Sequence, residues 1–146
     1  MKRLIFTSAP AAVLLIRLMV GAVFVSEGIQ KFLFRAEVGA GRFAKIGFPS
    51  PEMVAPFVGR FEIACGALVL LGLLTRLAVI PLIVVMLTAI TTTKIPILMN
   101  DGFWKMAHEG RTDWSMLLGL TFLLIVGAGR LSVDAHLSGG INRKDL

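Results

Sequence analysis

The sequence predicts an all-α integral membrane protein folded as a bundle of four transmembrane helices, and three observations carry that expectation. Hydrophobic residues make up 56% of the 146 and charged residues 16%, with a mean hydropathy of +0.84, more than a water-soluble core of this size absorbs. The apolar residues gather into blocks close to the roughly 20 residues a helix needs to cross about 30 Å of hydrocarbon. The fifteen Lys and Arg stand mostly at block edges, where anionic headgroups and cytoplasmic loop bias place them. The net charge of +6 therefore describes a lipid partner; with no basic cluster on a soluble face, nucleic acid is excluded as a partner.

The first helix is expected over residues 9–34, long enough to span with some tilt although Arg17, Glu27 and Lys31 interrupt it. A cleaved signal peptide is the competing reading of this block; Arg17 splits its apolar stretch and no small-x-small cleavage site follows. Residues 35–56 read as an outer loop, broken by Gly39, Gly41, Gly47, Pro49, Pro51 and Pro56. Phe43, Ile46 and Phe48 among its charges suit a segment on the membrane surface, with a short helix at Gly41 to Ile46.

The second helix is expected over 57–74 and the third over 77–98, joined so tightly at Thr75-Arg76 that they form a helical hairpin. Pro81, Thr91-Thr92-Thr93 and Pro96 fall inside the third, where hydroxyls and neighbouring helices can satisfy freed carbonyls. A polar outer loop over 99–112 leads to Asp113, read as the N-cap of a fourth helix over 113–130, with Trp114 at headgroup level. A tail over 131–146 completes one expected domain. Four spans place both termini together with Lys2, Arg3, Arg76, Arg130, Arg143 and Lys144, favouring cytoplasmic termini.

Ionisable residues inside a span cost roughly 2.5–3.5 kcal/mol each on insertion scales, so each calls for a partner or a purpose. With the N-terminus inside, Glu27 and Lys31, Arg60 and Glu62, and Lys94 all fall in the outer third of their helices. At ~100° per residue, Glu27 stands about 80° and Lys31 about 40° from Arg17 around the first helix, so all three share one side. The candidate site is thus a polar pocket open to the outer face, formed by Arg17, Glu27, Lys31, Arg60, Glu62, Thr91 and Lys94, with Thr88 beside it. Two plainer readings stand next to it. Lys31, Arg60 and Lys94 lie near helix ends and can snorkel to headgroups, and Arg17 can serve as an internal tether.

Cys65, one turn from Glu62 among Ala64, Gly66 and Ala67, reads as a packing residue, and as the only cysteine it forms no intramolecular disulfide. Gly21, Gly28, Gly119 and Gly127 read as close-packing positions, which also makes a homo-oligomer plausible. His108 and His136 lack companions at metal-ligand spacing, and no metal is expected.

The blocks Leu15-Ile16-Arg17-Leu18-Met19-Val20-Gly21, Glu27-Gly28-Ile29-Gln30-Lys31-Phe32, Phe43-Ala44-Lys45-Ile46-Gly47-Phe48-Pro49, Glu62 with Gly66, and Leu70-Leu71-Gly72-Leu73-Leu74-Thr75-Arg76-Leu77-Ala78 occur in the order seen in the DoxX family of small bacterial membrane proteins. The chain resembles that family over residues 12–130, with Cys65 where relatives often carry glycine. The resemblance implies a four-helix protein of the bacterial inner membrane and suggests redox work, since relatives include a membrane subunit of thiosulfate and quinone oxidoreduction. Two function classes follow. One is a non-enzymatic protein that binds or carries a small molecule or scaffolds envelope partners. The other is the membrane subunit of a quinone-linked oxidoreductase acting on thiosulfate or a related sulfur compound. In that reading Lys31, Arg60 and Lys94 would hold the donor, Glu27 or Glu62 would relay protons, quinone would be a substrate, and a redox partner protein would carry electrons.

Overall fold

The computed structural model describes residues 10–142, with side chains described through Gly139. All regular structure among these residues is helical. In chain order the helices are α1 (Val13–Leu33), α2 (Ala40–Ile46), α3 (Pro51–Leu71), α4 (Thr75–Asp101, with a π turn at Ile90–Lys94), α5 (Phe103–Glu109), α6 (Arg111–Val126) and α7 (Val133–Asn142). Three of them, α1, α3 and α4, are long and apolar enough to cross a membrane. Where a fourth crossing is expected stands α6, whose 16 residues rise only about 24 Å against a hydrocarbon core of about 30 Å.

The boundaries differ from expectation wherever a turn residue plays a different role. The second long helix starts at Pro51, six residues before residue 57, because proline at the first helical position has its φ already set and no N–H to lose. Pro56 then sits inside α3, where its missing N–H costs only one bond near the helix start. At the other end, Gly72 in the left-handed conformation closes α3. The loop over 99–112 is largely helical: α4 runs on to Asp101, Gly102 breaks it, and α5 follows. Gly127, expected to pack between helices, instead ends α6 with a positive φ, four residues short of residue 130. The tail carries α7. In the first outer loop, α2 matches the helix expected at Gly41 to Ile46 within one residue.

The core lies between α1, α3, α4 and α6, where Val20, Phe24, Val69, Leu82, Leu120 and Leu123 are fully or almost fully buried. α1 and α3 approach most closely through glycine. A Cβ at Gly28 would stand 2.7 Å from the Gly59 carbonyl oxygen, and one at Gly21 would stand 2.6 Å from Leu70 Cγ. Gly119 does the same for α6 against Val20 of α1, as close packing in lipid favours. Cys65 is buried in this core. The outward faces are apolar instead: Leu15, Leu118 and Ile125 are 68%, 70% and 71% exposed, a pattern suited to lipid and not to water.

One end of the fold is closed by a polar knot that the sequence reading misplaced. Arg17, assigned to the outer pocket, is 2% exposed and sits about 15 Å along α1 from Glu27. Its guanidinium donates to the carbonyls of Val69 (2.9 Å), Leu70 (2.5 Å), Ala128 (3.2 Å) and Leu131. These carbonyls lie at the end of α3 and in the turn after α6, and that of Val69 also accepts from the Gly72 N–H at 3.1 Å. The tethering reading of Arg17 is the one the geometry supports. Asp134 of α7 completes the knot. Its carboxylate accepts from the N–H groups of Leu74 (2.7 Å) and Thr75 (3.1 Å), capping α4 from a distance, while its own N–H donates to the Gly72 carbonyl at 2.9 Å. Arg76, expected among headgroup charges, donates to the carbonyls of Leu124, Ile125 and Val126 at the end of α6. Lys2, Arg3, Arg143 and Lys144 lie outside the described residues.

Candidate functional site: a charged cavity between the helices

Away from the knot, the long helices part around a cavity of about 710 Å³ walled by α1, α2, α3, α4 and α6. Phenylalanines supply much of its apolar wall, with Phe24 from α1, Phe43 from α2, and Phe57 and Phe61 from α3. α2 and the residues around it cover one side through Arg42, Ile46 and Phe48. Left-handed Gly47 and Ser50 turn the chain there from α2 into α3. The size falls within the 300–1,000 Å³ range of pockets that bury a drug-sized ligand.

Two ion pairs stand in this apolar wall. Lys31 Nζ of α1 lies 2.6 Å from Glu62 Oε2 of α3, with side chains 9% and 4% exposed. Lys94 Nζ of α4 lies 3.3 Å from Asp113 Oδ2 of α6, with side chains 10% and 19% exposed. Glu27 lines the cavity on the same face of α1 as Lys31, one turn away, and its charge acts on Glu62. Arg42 also lines the cavity and, like Glu27, has no ion-pair partner among the described residues. Three cations and three carboxylates thus balance within one chamber. Burying such pairs costs desolvation that their attraction only roughly offsets, so they contribute little net stability. Their presence at membrane depth points to function.

The local sequence explains how Lys94 arrives there. Pro96 lacks the N–H its position would offer to the preceding turn, and the chain widens just before it into the π turn Ile90–Lys94. The hydroxyls of Thr92 and Thr93 donate to the carbonyls of Thr88 (2.7 Å) and Ala89 (2.6 Å), supporting the widened backbone. Lys94 ends this turn buried rather than snorkelling.

The structure brings together four of the seven residues expected in the pocket, Glu27, Lys31, Glu62 and Lys94. Arg17 is in the knot. Arg60 is exposed and absent from the wall, since two residues along a helix is about 200° and turns it away from Glu62. Thr91 is exposed and donates to the Leu87 carbonyl at 2.9 Å; Thr88, Thr92 and Thr93 take the lining positions. Asp113, read as an N-cap, is the third residue of α6, makes no capping bond and faces Lys94. Its place at the level of Lys94 in the adjoining helix was the available signal. Arg42 carried none beyond its position in a surface loop. Among the described residues, no three His, Cys, Asp or Glu side chains come together as a metal site would require.

Comparison with known proteins agrees with this architecture. The model of the DoxX family matches residues 12–95. The chain is 52% identical over 142 residues to the uncharacterized membrane protein Rv3486 of Mycobacterium tuberculosis, covering 93% of this chain and 87% of that one. It is 30% identical over 129 residues to a Bacillus subtilis protein named "Putative oxidoreductase CatD", covering 87% of each. No solved structure matches. A family match over more than half the chain, and a relative sharing half its residues across nearly all of it, establish that this membrane protein belongs to the DoxX family.

Proposed function

We propose that the protein binds a small, membrane-soluble molecule in the cavity between its helices, and that this binding is its primary role. The observation that carries the reading is the combination of an apolar chamber of about 710 Å³ with two buried ion pairs in its wall. Such a site offers an apolar body its phenyl walls and a polar head its charged groups. The accompanying architecture is one domain in the bacterial inner membrane with cytoplasmic termini, α6 making the fourth crossing. The exposed apolar surface of α6 at Leu118 and Ile125 supports that crossing. A self-associated form would use the remaining exposed apolar faces.

A second reading is favoured by the name of the Bacillus subtilis relative. In it the cavity holds a quinone reduced by thiosulfate or a related sulfur donor through a partner protein. Glu27 or Glu62 would then move the protons.

The test is to purify the protein, extract what it carries and identify it by mass spectrometry, beside a variant with Ala89→Phe, which fills the cavity from α4. A discrete small molecule present with wild type and depleted in the folded variant supports binding. Equal recovery from both would refute it. Donor-dependent quinone reduction that falls at least about tenfold in Glu62→Gln would move the assignment to the oxidoreductase.

A further inference from the structure

The two ion pairs in the cavity are unequal, and the inequality indicates which of them a ligand can open. The Lys31–Glu62 contact is 2.6 Å and both side chains are more than nine-tenths buried. It joins α1 to α3 beside their closest backbone approach at Gly28 and Gly59. Drawing Lys31 away would leave the Glu62 carboxylate buried without a counterion. The Lys94–Asp113 contact is longer, at 3.3 Å, and Asp113 is a fifth exposed.

Asp113 also stands in the first turn of α6, where the peptide dipoles favour a carboxylate whether or not Lys94 faces it. Release of Asp113 therefore costs it comparatively little. Lys94 has no such alternative. It is buried at the end of the π turn, so its ammonium needs an anion if Asp113 leaves. A lysine ammonium accommodates acceptors of many shapes, having three donors and no fixed fork. Arg42, with no ion-pair partner among the described residues, adds a second cation on the α2 side of the same cavity.

Building on the binding function proposed above, we infer that the ligand is a single-chain amphiphile with an anionic head such as a carboxylate. The head replaces Asp113 on Lys94, and the apolar body lies along Phe24, Phe57 and Phe61. A neutral amphiphile would leave the Lys94–Asp113 pair closed and gain nothing from it. A cationic one would turn to Glu27 and likewise leave the Lys94–Asp113 pair closed. The volume suits a ligand of drug-like size, which favours one chain over a two-chained bilayer lipid. Because the opened pair bridges α4 and α6, occupancy of the cavity also loosens the link between these two helices.

The experiment measures binding of cis-parinaric acid and of the corresponding alcohol to the purified full-length protein, by energy transfer from its tryptophans. Wild type is compared with Lys94→Gln and Asp113→Asn. The acid should bind wild type at least about tenfold more tightly than the alcohol, a difference of about 1.4 kcal/mol. Lys94→Gln should abolish that preference, the two probes binding within about twofold of each other. Asp113→Asn should tighten the acid severalfold, since the competing carboxylate is gone, a gain that misfolding does not produce. If Lys94→Gln loses both probes alike, the Asp113→Asn result decides, and no gain for the acid overturns the inference. Equal binding of acid and alcohol to wild type overturns it too, while leaving the binding function standing. Failure of both probes to bind wild type overturns the inference, whereas the binding function falls only if recovery from wild type and Ala89→Phe is equal.

Discussion

Replacing Arg17 with leucine should destabilise the protein without touching the cavity. The guanidinium is buried and serves four carbonyls, at Val69, Leu70, Ala128 and Leu131. Val69 would keep the Gly72 N–H as a donor, but leucine would leave the other three oxygens unsatisfied, at about 1–3 kcal/mol for each buried group. The lower figure alone gives about 3 kcal/mol for the three, a large share of the 5–15 kcal/mol by which folded proteins typically exceed their unfolded state. At roughly 2–4 °C per kcal/mol for a chain of this size, Tm should fall by at least about 6 °C. Thermal unfolding of the purified protein in one fixed detergent would measure it. Arg17→Lys should recover less than half of the loss, because an ammonium cannot reach carbonyls spread around a planar fork. A leucine variant that melts within about 2 °C of wild type would refute the tethering role and reopen a functional one for this charge.

Three other outcomes are expected. Lys31→Met should lower stability by about 3–5 kcal/mol because Glu62 stays buried and unpaired, and the double variant Lys31→Met with Glu62→Leu should regain most of it; an additive double variant in denaturant titrations would contradict a coupled pair. Gly28→Ala should cost about 1–3 kcal/mol in the same titrations, as its Cβ would meet the Gly59 carbonyl at 2.7 Å, whereas Gly139→Ala in α7, with open space around it, should be neutral or slightly stabilising. In a Cys65→Ala background, single cysteines at Lys105 and Arg130 should react with impermeant thiol reagents from opposite sides of the membrane; labelling from the same side would show that α6 does not cross.

The residues that proved legible in the sequence are those whose placement depends on depth alone. The rise per residue fixes the level of Glu27, Lys31, Glu62 and Lys94 in their helices, and four charges at one level in an apolar protein have to meet something. Rotation was less legible. Thr91 and Arg60 were assigned to the pocket on level, but the π turn and the 100° step between residues carry them elsewhere. Asp113 was hidden by its own chemistry, since an aspartate near a helix start has a sufficient local explanation as a cap. The tether at Arg17 is legible as one of two readings, but the groups that it and Asp134 hold are not. These are backbone groups, which every residue possesses and no pattern of side chains reveals. Membrane character came through plainly because exposure of leucine and isoleucine to lipid is recorded directly in composition.

The knot at the end of the fold also imposes an order on how the protein is made. Arg17 leaves the ribosome 111 and 114 residues before two of its four carbonyls, those of Ala128 and Leu131. The N–H groups at the start of α4 likewise wait for residue 134 to supply their acceptor. A nascent chain that has already delivered three apolar helices to the bilayer still holds an arginine missing two of its four acceptors and an uncapped hairpin. Closure of the knot is thus tied to synthesis of α7, and a ribosome stalled before residue 128 would leave a membrane-inserted intermediate marked by those exposed polar groups for quality control to find.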